Sequence, residues 1–384
     1  MNNNHCIVCH THISAPLFVS EGSSSLTTML DVLPNPTVVR YCERCGHLQT
    51  EPLEDLKAYY SQHYQILSNS EDEDQLVSLR NGQNVLRNEH QINTLLDKVP
   101  MQRGALVLDY GCAKSAALRL LTSRRTDISP HVFDVSDLYI PFWEKFIPQG
   151  QWATHQVPAH WEGRFDMLTS FFALEHVESP GLFMQEVNRL LKKDGIFYCI
   201  VPNTYDNIAD FVVADHVSHF SSSSITYLLE SHGFVLQHID DQSHPGAWIF
   251  IGRKSSAEAS PSLPPANARI KAQAEEMAKF WETFGSRVRS FENYHTGQPA
   301  VVYGSGFYGT YIMTCLRDPG RVLGFLDRNL HRQSQQLLNL PILAPEQVPD
   351  EVRVVYVGLN PRIAHAAMED VAGLTEHALE FFYP

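Results

Sequence analysis

No apolar run in this 384-residue chain approaches the ~18 residues a membrane helix needs, so a helical span is excluded and no membrane partner is expected. The opening residues, MNNNHCIVCH, have neither the basic nor the apolar part of a secretory leader, and the expected location is cytoplasmic. Positive charge is scarce. Lys and Arg number 29 against 43 Asp and Glu, a net charge of −14, which argues against a nucleic-acid partner. Cysteine is sparse too, at seven residues, and three of these (Cys112, Cys199, Cys315) are scattered through apolar segments. No repeat of solenoid-like period is visible.

What is present is enough for well-formed cores: 43% of residues are hydrophobic, and the length suggests two or three domains. Residues 1–75 are irregular and hold two cysteine pairs, a tyrosine-rich stretch (AYYSQHYQILSNS) and an acidic run, EDED at 71–74. Over 76–254, ALVLDYG, HVFDVS, FDMLTSFF and GIFYCIVPN read as buried parallel strands alternating with helical patterns such as PGLFMQEVNRLLKK. VLQHIDD and GAWIFIGRK read as a closing strand pair. The alternation predicts an α/β fold with a doubly wound sheet. Residues 255–267, SSAEASPSLPPAN, read as a linker. Residues 268–384 open with a long helical pattern and restart as a smaller Rossmann-like α/β unit.

The remaining four cysteines, Cys6, Cys9, Cys42 and Cys45, form two C-x-x-C pairs. In a reducing compartment such pairs point to metal, and four thiolates fit a closed, structural zinc site. His5, His10, His12 and His47 lie close enough in sequence to replace one thiolate. The alternative is a small core of unligated cysteines.

LVLDYGCAKSAALRLL reads as strand, tight loop and helix. Asp109 ends the strand and is placed to contact the amino-acid end of S-adenosylmethionine. Gly111 supplies the turn and Ala113 lies in the loop beside the cofactor. The next strand ends in Asp134, the right distance on for an acid that accepts from both ribose hydroxyls. A nicotinamide cofactor is the rival, and its G-x-G-x-x-G fingerprint is absent, since the loop reads Gly111-Cys112-Ala113-Lys114-Ser115; the usual methyltransferase loop has glycines where Ala113 and Ser115 stand.

Asp215-His216-Val217-Ser218-His219-Phe220-Ser221 follows the strand ending at Pro202 and Asn203 and precedes a helix. A carboxylate and two imidazoles on a loop at the ligand-binding edge make an acid–base group. A helix cap from Ser221 or Ser222 is the structural reading, and the two are compatible. His176, in LEHVESP, also follows a strand and is a further catalytic candidate, with a structural role the alternative. Farther on, Gly304-Ser305-Gly306-Phe307-Tyr308-Gly309, with Asp327 on the next strand, has the form of a dinucleotide fingerprint, though Phe307 and Tyr308 crowd the pyrophosphate position.

In this order, CIVC with CERCGHLQT, YYSQHYQILSNS, VLDYGCAKSAAL, DHVSHFS, and VVYGSGFYG with GFLDRN resemble the three-domain sugar C-methyltransferases across nearly the whole chain. The resemblance implies an N-terminal zinc-binding domain, a central class I methyltransferase and a C-terminal Rossmann-like domain. It further implies S-adenosylmethionine and structural Zn²⁺ as cofactors, and a nucleotide-linked keto-deoxysugar methylated on carbon as the small-molecule substrate. It assigns the proton-removing base to His216, with Asp215 supporting it. The family loop usually reads Tyr-x-Glu-His-x-Ser-Tyr-Phe-Ser. Here Val213 stands at the first tyrosine, Asp215 at the glutamate and His219 at the second tyrosine. The change at Val213 keeps open an oxygen or nitrogen acceptor in polysaccharide or natural-product assembly, and Ala113 and Ser115 in the cofactor loop keep open a non-catalytic scaffold.

Overall fold

A computed structural model describes residues 4–13, 15–21, 25–55, 59–60, 71, 74–80, 83–255, 267–369, 371, 374 and 378–384. The tyrosine-rich stretch after Tyr60, the middle of the acidic run and the interior of the linker lie outside the described residues. The chain divides into two compact units. One comprises Met1–Pro16, Val39–Asp210 and Asp215–Ala274, the other Leu17–Val38, Phe211–Ala214 and Glu275–Pro384. Leu17–Val38, which the sequence places beside the cysteine pairs, thus clusters with the second unit.

The first unit is built on a seven-stranded sheet. Its strands are Leu106–Tyr110 (β1), Ser129–Asp134 (β2), Trp152–Thr154 (β3), Phe165–Phe171 (β4), Leu191–Pro202 (β5), Phe234–Asp240 (β6) and Ala247–Lys254 (β7). The order is β3-β2-β1-β4-β5-β7-β6. β1 to β5 are parallel, and β7 runs antiparallel between β5 and β6. Adjacent residues on each strand face opposite ways, so Val107, Val132, Met167 and Ile249 build one core while Leu108, Phe133, Leu168 and Phe250 build another. Arg87–Lys98 (α1) and Ala116–Arg124 (α2) add Ile92, Leu95, Leu118 and Leu121 to the first core. Pro180–Leu190 (α3) and Ser222–Ser231 (α4) add Met184, Val187 and Leu228 to the second. Both faces are covered, which is why the strands read as nearly continuous apolar runs. The strand order reverses between β1 and β4, and in such sheets ligands bind there, beyond the carboxyl ends of the strands.

The cysteine block joins this unit through a small sheet. Val38–Tyr41 pairs with Leu48–Thr50, which pairs in turn with the two-residue strand Ser218–His219. The histidine loop is thereby held in register by residues immediately following Cys45. Ser221 caps α4: Ser224 N–H donates to Ser221 Oγ at 3.2 Å, and Ser221 N–H donates to Ser224 Oγ at 2.9 Å, a contribution of about 1 kcal/mol.

The second unit carries the six-stranded sheet Gln336–Leu337, Leu340–Leu343, Val322–Leu326, Ala300–Tyr303, Val354–Val357, Glu380–Phe382, in that order. The long helix Ala268–Tyr294 supplies Trp281, Phe284 and Val288 to its interior. Its glycine loop serves close packing. A Cβ on Gly309 would lie 2.0 Å from the Gly304 carbonyl oxygen, and one on Gly358 would lie 2.5 Å from Gly309 Cα. Asp327 accepts from Ser305 N–H at 3.0 Å and Ser305 Oγ at 2.5 Å, so its carboxylate braces the loop. Among the described residues no helix is long and apolar enough to cross a membrane.

Candidate active site

The loop after β1 keeps the kinked path of a glycine-rich loop with few glycines. Gly111, Ala113 and Ser115 have φ of +72°, +46° and +54°. The left-handed conformation costs an L-residue about 1–2 kcal/mol, so Ala113 and Ser115 hold the shape against their own preference. At Ser115 a hydrogen bond offsets this, since its Oγ donates to Asp109 at 2.7 Å. Thr169 Oγ1 donates to the other oxygen of Asp109 at 3.0 Å. Asp109 is only 2% exposed. Burial pushes its pKa up to about 6 against the pull of those two hydroxyls, and the Asp134 charge adds to the rise. Gly111 cannot carry a side chain, because a Cβ there would meet Ala173 Cβ at 2.7 Å.

Asp134 closes the far side of this loop. It accepts from Ala113 N–H at 2.8 Å and from Ser136 N–H at 3.0 Å. Burial raises its pKa while these backbone donors oppose the rise. Trp143 Nε1–H donates to the Ala113 carbonyl at 2.7 Å. The four cofactor residues named from sequence are therefore one connected structure at the carboxyl edge of β1 and β2. The kinked loop, with an acid at the end of β2, fits S-adenosylmethionine.

The histidine loop is organised by a residue the sequence reading missed. Asp210 Oδ1 accepts from His216 Nδ1 at 2.5 Å, and Oδ2 accepts from His219 Nδ1 at 2.8 Å. Thr204 Oγ1 also donates to Asp210. His219 is completely buried, and its Nε2 meets Thr50 Oγ1 at 2.7 Å. His216 is 8% exposed. Burial works against its charged form, yet the Asp210 carboxylate outweighs that and holds its pKa at about 9. Burial likewise opposes ionisation of Asp210, but the two imidazoles hold its pKa well below the usual carboxylate range.

Asp215, the acid adjacent in sequence, faces a different partner. Tyr60 OH donates to its Oδ2 at 3.1 Å and to its backbone oxygen at 2.9 Å. Tyr60 OH also lies 2.5 Å from His176 Nδ1, and His176 Nδ1 lies 3.2 Å from the Asp215 carbonyl. The His176 and His216 rings meet edge to face, with centroids 4.7 Å apart. Burial, followed by the His216 charge, lowers the pKa of His176 to about 4. Glu175 is 1% exposed, and burial raises its pKa to about 8. The structure thus brings together all four sequence-named catalytic candidates and adds Tyr60, Glu175 and Asp210. Only Tyr60 lay in a stretch the resemblance quoted.

The four paired cysteines also converge. Cys6 Sγ lies 3.6 Å from Cys45 Sγ, and Cys9 Sγ lies 3.5 Å from Cys42 Sγ. Zinc–thiolate bonds of about 2.3 Å would place the sulfurs of a tetrahedron about 3.8 Å apart, so the donor set and its spacing suit that ion. The two knuckles repeat one backbone pattern. His10 N–H donates to Cys6 O and Gly46 N–H to Cys42 O, both at 2.9 Å, with His10 and Gly46 at positive φ. Cys6 N–H reaches Thr11 O and Cys42 N–H reaches His47 O. His47 is fully buried against Phe220, with ring centroids 5.2 Å apart, and burial lowers its pKa to about 3.

Residues 81–239 match a family model described as a methyltransferase domain. No curated protein matches the chain. Similar solved structures include a chain of the complex between the Haloferax volcanii Trm112 methyltransferase activator and a methyltransferase, at 16% identity over 44% of this chain and 91% of that one, with a TM-score of 0.38. Another is an S-adenosylmethionine-dependent methyltransferase from Listeria monocytogenes, at 14% identity over 44% of this chain and 100% of that one, TM-score 0.36. A third is an S-adenosylmethionine-dependent methyltransferase from Mesorhizobium loti, at 14% identity over 43% and 98%, TM-score 0.35. The first unit has the class I methyltransferase fold, and residues 81–239 form a methyltransferase domain.

Proposed function

We propose that this enzyme methylates a carbon next to the ketone of a nucleotide-linked deoxysugar, with His216 as the base and a structural zinc at Cys6, Cys9, Cys42 and Cys45. The observation that carries the reading is the 2.5 Å pairing of His216 Nδ1 with buried Asp210. It fixes the tautomer, so proton transfer falls to Nε2. A C–H beside a carbonyl is a weak acid and needs a strong base. The charge of Asp210 raises the affinity of His216 for the proton, at the cost of a smaller neutral fraction near pH 7.

When bound, S-adenosylmethionine supplies an electrophilic methyl group with a good leaving group already in place. Asp134 would hold the ribose and Asp109 the amino-acid end. His216 would remove the α-proton and so make the α-carbon the nucleophile, while the cofactor would supply the methyl–sulfur bond to be broken and the thioether as leaving group. Tyr60, beside Asp215 and His176, would turn its hydroxyl from Asp215 to an enolate oxygen. The hydrogen bonds of Asp215 to Tyr60 make it an organiser of that group, while Asp210 takes the supporting role at His216.

Val213 in place of the family tyrosine favours a second reading, transfer to oxygen or nitrogen, which needs only the base. Mass spectrometry of reactions with a panel of nucleotide-linked keto sugars separates the two. A product methylated on carbon supports the first, and one methylated only on a hydroxyl or amine supports the second.

A further inference from the structure

Glu175 stands out among the buried groups that the base role of His216 leaves unused. It is 1% exposed, and its Oε2 has no hydrogen-bond partner among the described residues. A buried carboxylate oxygen without a partner costs several kcal/mol, so such a group is either protonated or meant for a cation. One oxygen of Glu175 and one ring nitrogen each from His176 and His216 lie within 4.8 Å of one another.

The surroundings match a metal centre in two ways. Metal-bound histidines usually engage the second ring nitrogen with a carboxylate or a backbone carbonyl, which fixes the tautomer. Here His216 Nδ1 meets the Asp210 carboxylate at 2.5 Å, and His176 Nδ1 meets the Asp215 carbonyl at 3.2 Å. The charge balance is also favourable. Asp210 and Asp215 both act on the two rings, and the charges that act on Glu175 are those of His216 first, then Asp210 and Arg87. Two imidazoles and one carboxylate are a donor set for zinc and its neighbours in the first transition row, with positions left for further ligands.

We propose that Glu175, His176 and His216 form a second divalent-metal site, separate from the four cysteines, and that an ion there silences His216 as a base. A nitrogen that ligates a metal has no lone pair for a proton. The silencing rests on the base role proposed above; the site itself does not.

The test is a Co²⁺ titration of the full chain with zinc already at the cysteines. The expected result is one added equivalent with the visible bands of nitrogen and oxygen ligation and no thiolate charge-transfer band. Glu175→Gln and His176→Asn, each checked for folding by circular dichroism, should lose that equivalent. Asp210→Asn should weaken it by about 10–100-fold. Absence of a second equivalent in wild-type protein, or equal affinity in both folded ligand variants, overturns the site and leaves the methyltransferase reading intact. In the activity arm, filling the site should stop methyl transfer, and a chelator too weak to strip the cysteines should restore it. Full turnover with the site filled overturns the silencing alone. If no acceptor is methylated even in the metal-free state, the base reading fails while the spectroscopic result still decides the site.

Discussion

Asp210 Oδ1 and His216 Nδ1 lie 2.5 Å apart, although five residues separate them along the chain. Asp210 begins a short 3-10 turn over Asp210–Val212, and that turn brings its carboxylate back under the histidine loop. Asp210→Asn would leave the shape nearly intact but present a neutral amide to both rings. Turnover should fall by roughly 10²–10⁴, while the Kd for S-adenosylmethionine stays unchanged. Steady-state kinetics paired with calorimetry would check this. Near wild-type turnover would remove Asp210 from the mechanism.

Two single substitutions in the cofactor loop should have opposite effects. Ala113→Gly relieves a positive φ and deletes only a methyl group, so it should stabilise the protein by up to about 1 kcal/mol. Ser115→Gly relieves the same strain but removes the hydroxyl that bonds to buried Asp109, and should be destabilising by about 1–3 kcal/mol. Thermal unfolding measured side by side gives the sign of each. If both shift the same way, the strain account of the loop is wrong.

Much of this was legible in the chain itself. The strands of the sheet appear as apolar runs because both faces are covered, and the cysteine pairs declare themselves by spacing. The loop after β1 was readable despite Ala113 and Ser115, since small residues in a strand–turn–helix pattern preserve the path. Asp210, Glu175 and Thr50 were not. Each looks like an ordinary polar residue beside apolar neighbours, and its role exists only through contacts made at a distance. Tyr60 and His176 are 116 positions apart, and Thr50 and His219 are 169 apart. The resemblance gives Asp215 the supporting role at His216, and its charge does act on that ring, but the direct hydrogen bond to His216 comes from Asp210. Consecutive side chains on an extended loop point apart, which leaves Asp215 to Tyr60.

The pKa of Asp109 gives the cofactor step a pH dependence with a definite sign. Burial lifts that pKa to about 6 in the free protein. A cationic ammonium from the cofactor would favour the carboxylate and lower it, so binding below pH 6 must release a proton. Affinity for S-adenosylmethionine should be flat above that pH and fall by up to about tenfold per unit beneath it. Calorimetry from pH 7.5 to 5.5 would show the bend. A constant Kd across this range would mean that Asp109 does not meet the cofactor.

Zinc removal should reach the catalytic loop. Thr50, five residues beyond Cys45, donates its backbone N–H to Val217 at 3.1 Å and meets His219 through its hydroxyl. Freshly purified protein should contain one zinc per chain, and Cys42→Ser should lose it. In such sites binding energy is folding energy, so the variant should also lose the Leu48–Thr50 pairing and most of its turnover. Elemental analysis with hydrogen exchange over residues 38–50 and 215–221 would follow both effects. Full protection of both segments in metal-free protein would contradict the coupling.

The central claim is that His216 takes a proton from carbon before the methyl group arrives. The most direct measurement is enzyme-dependent solvent-deuterium exchange into the α-position of a keto sugar that the enzyme methylates, in wild-type protein and in His216→Asn. The account predicts exchange in the wild type. In His216→Asn, exchange and methyl transfer should fall together by about 10²–10⁴ while the cofactor still binds. Exchange and turnover near wild-type levels in His216→Asn would contradict it.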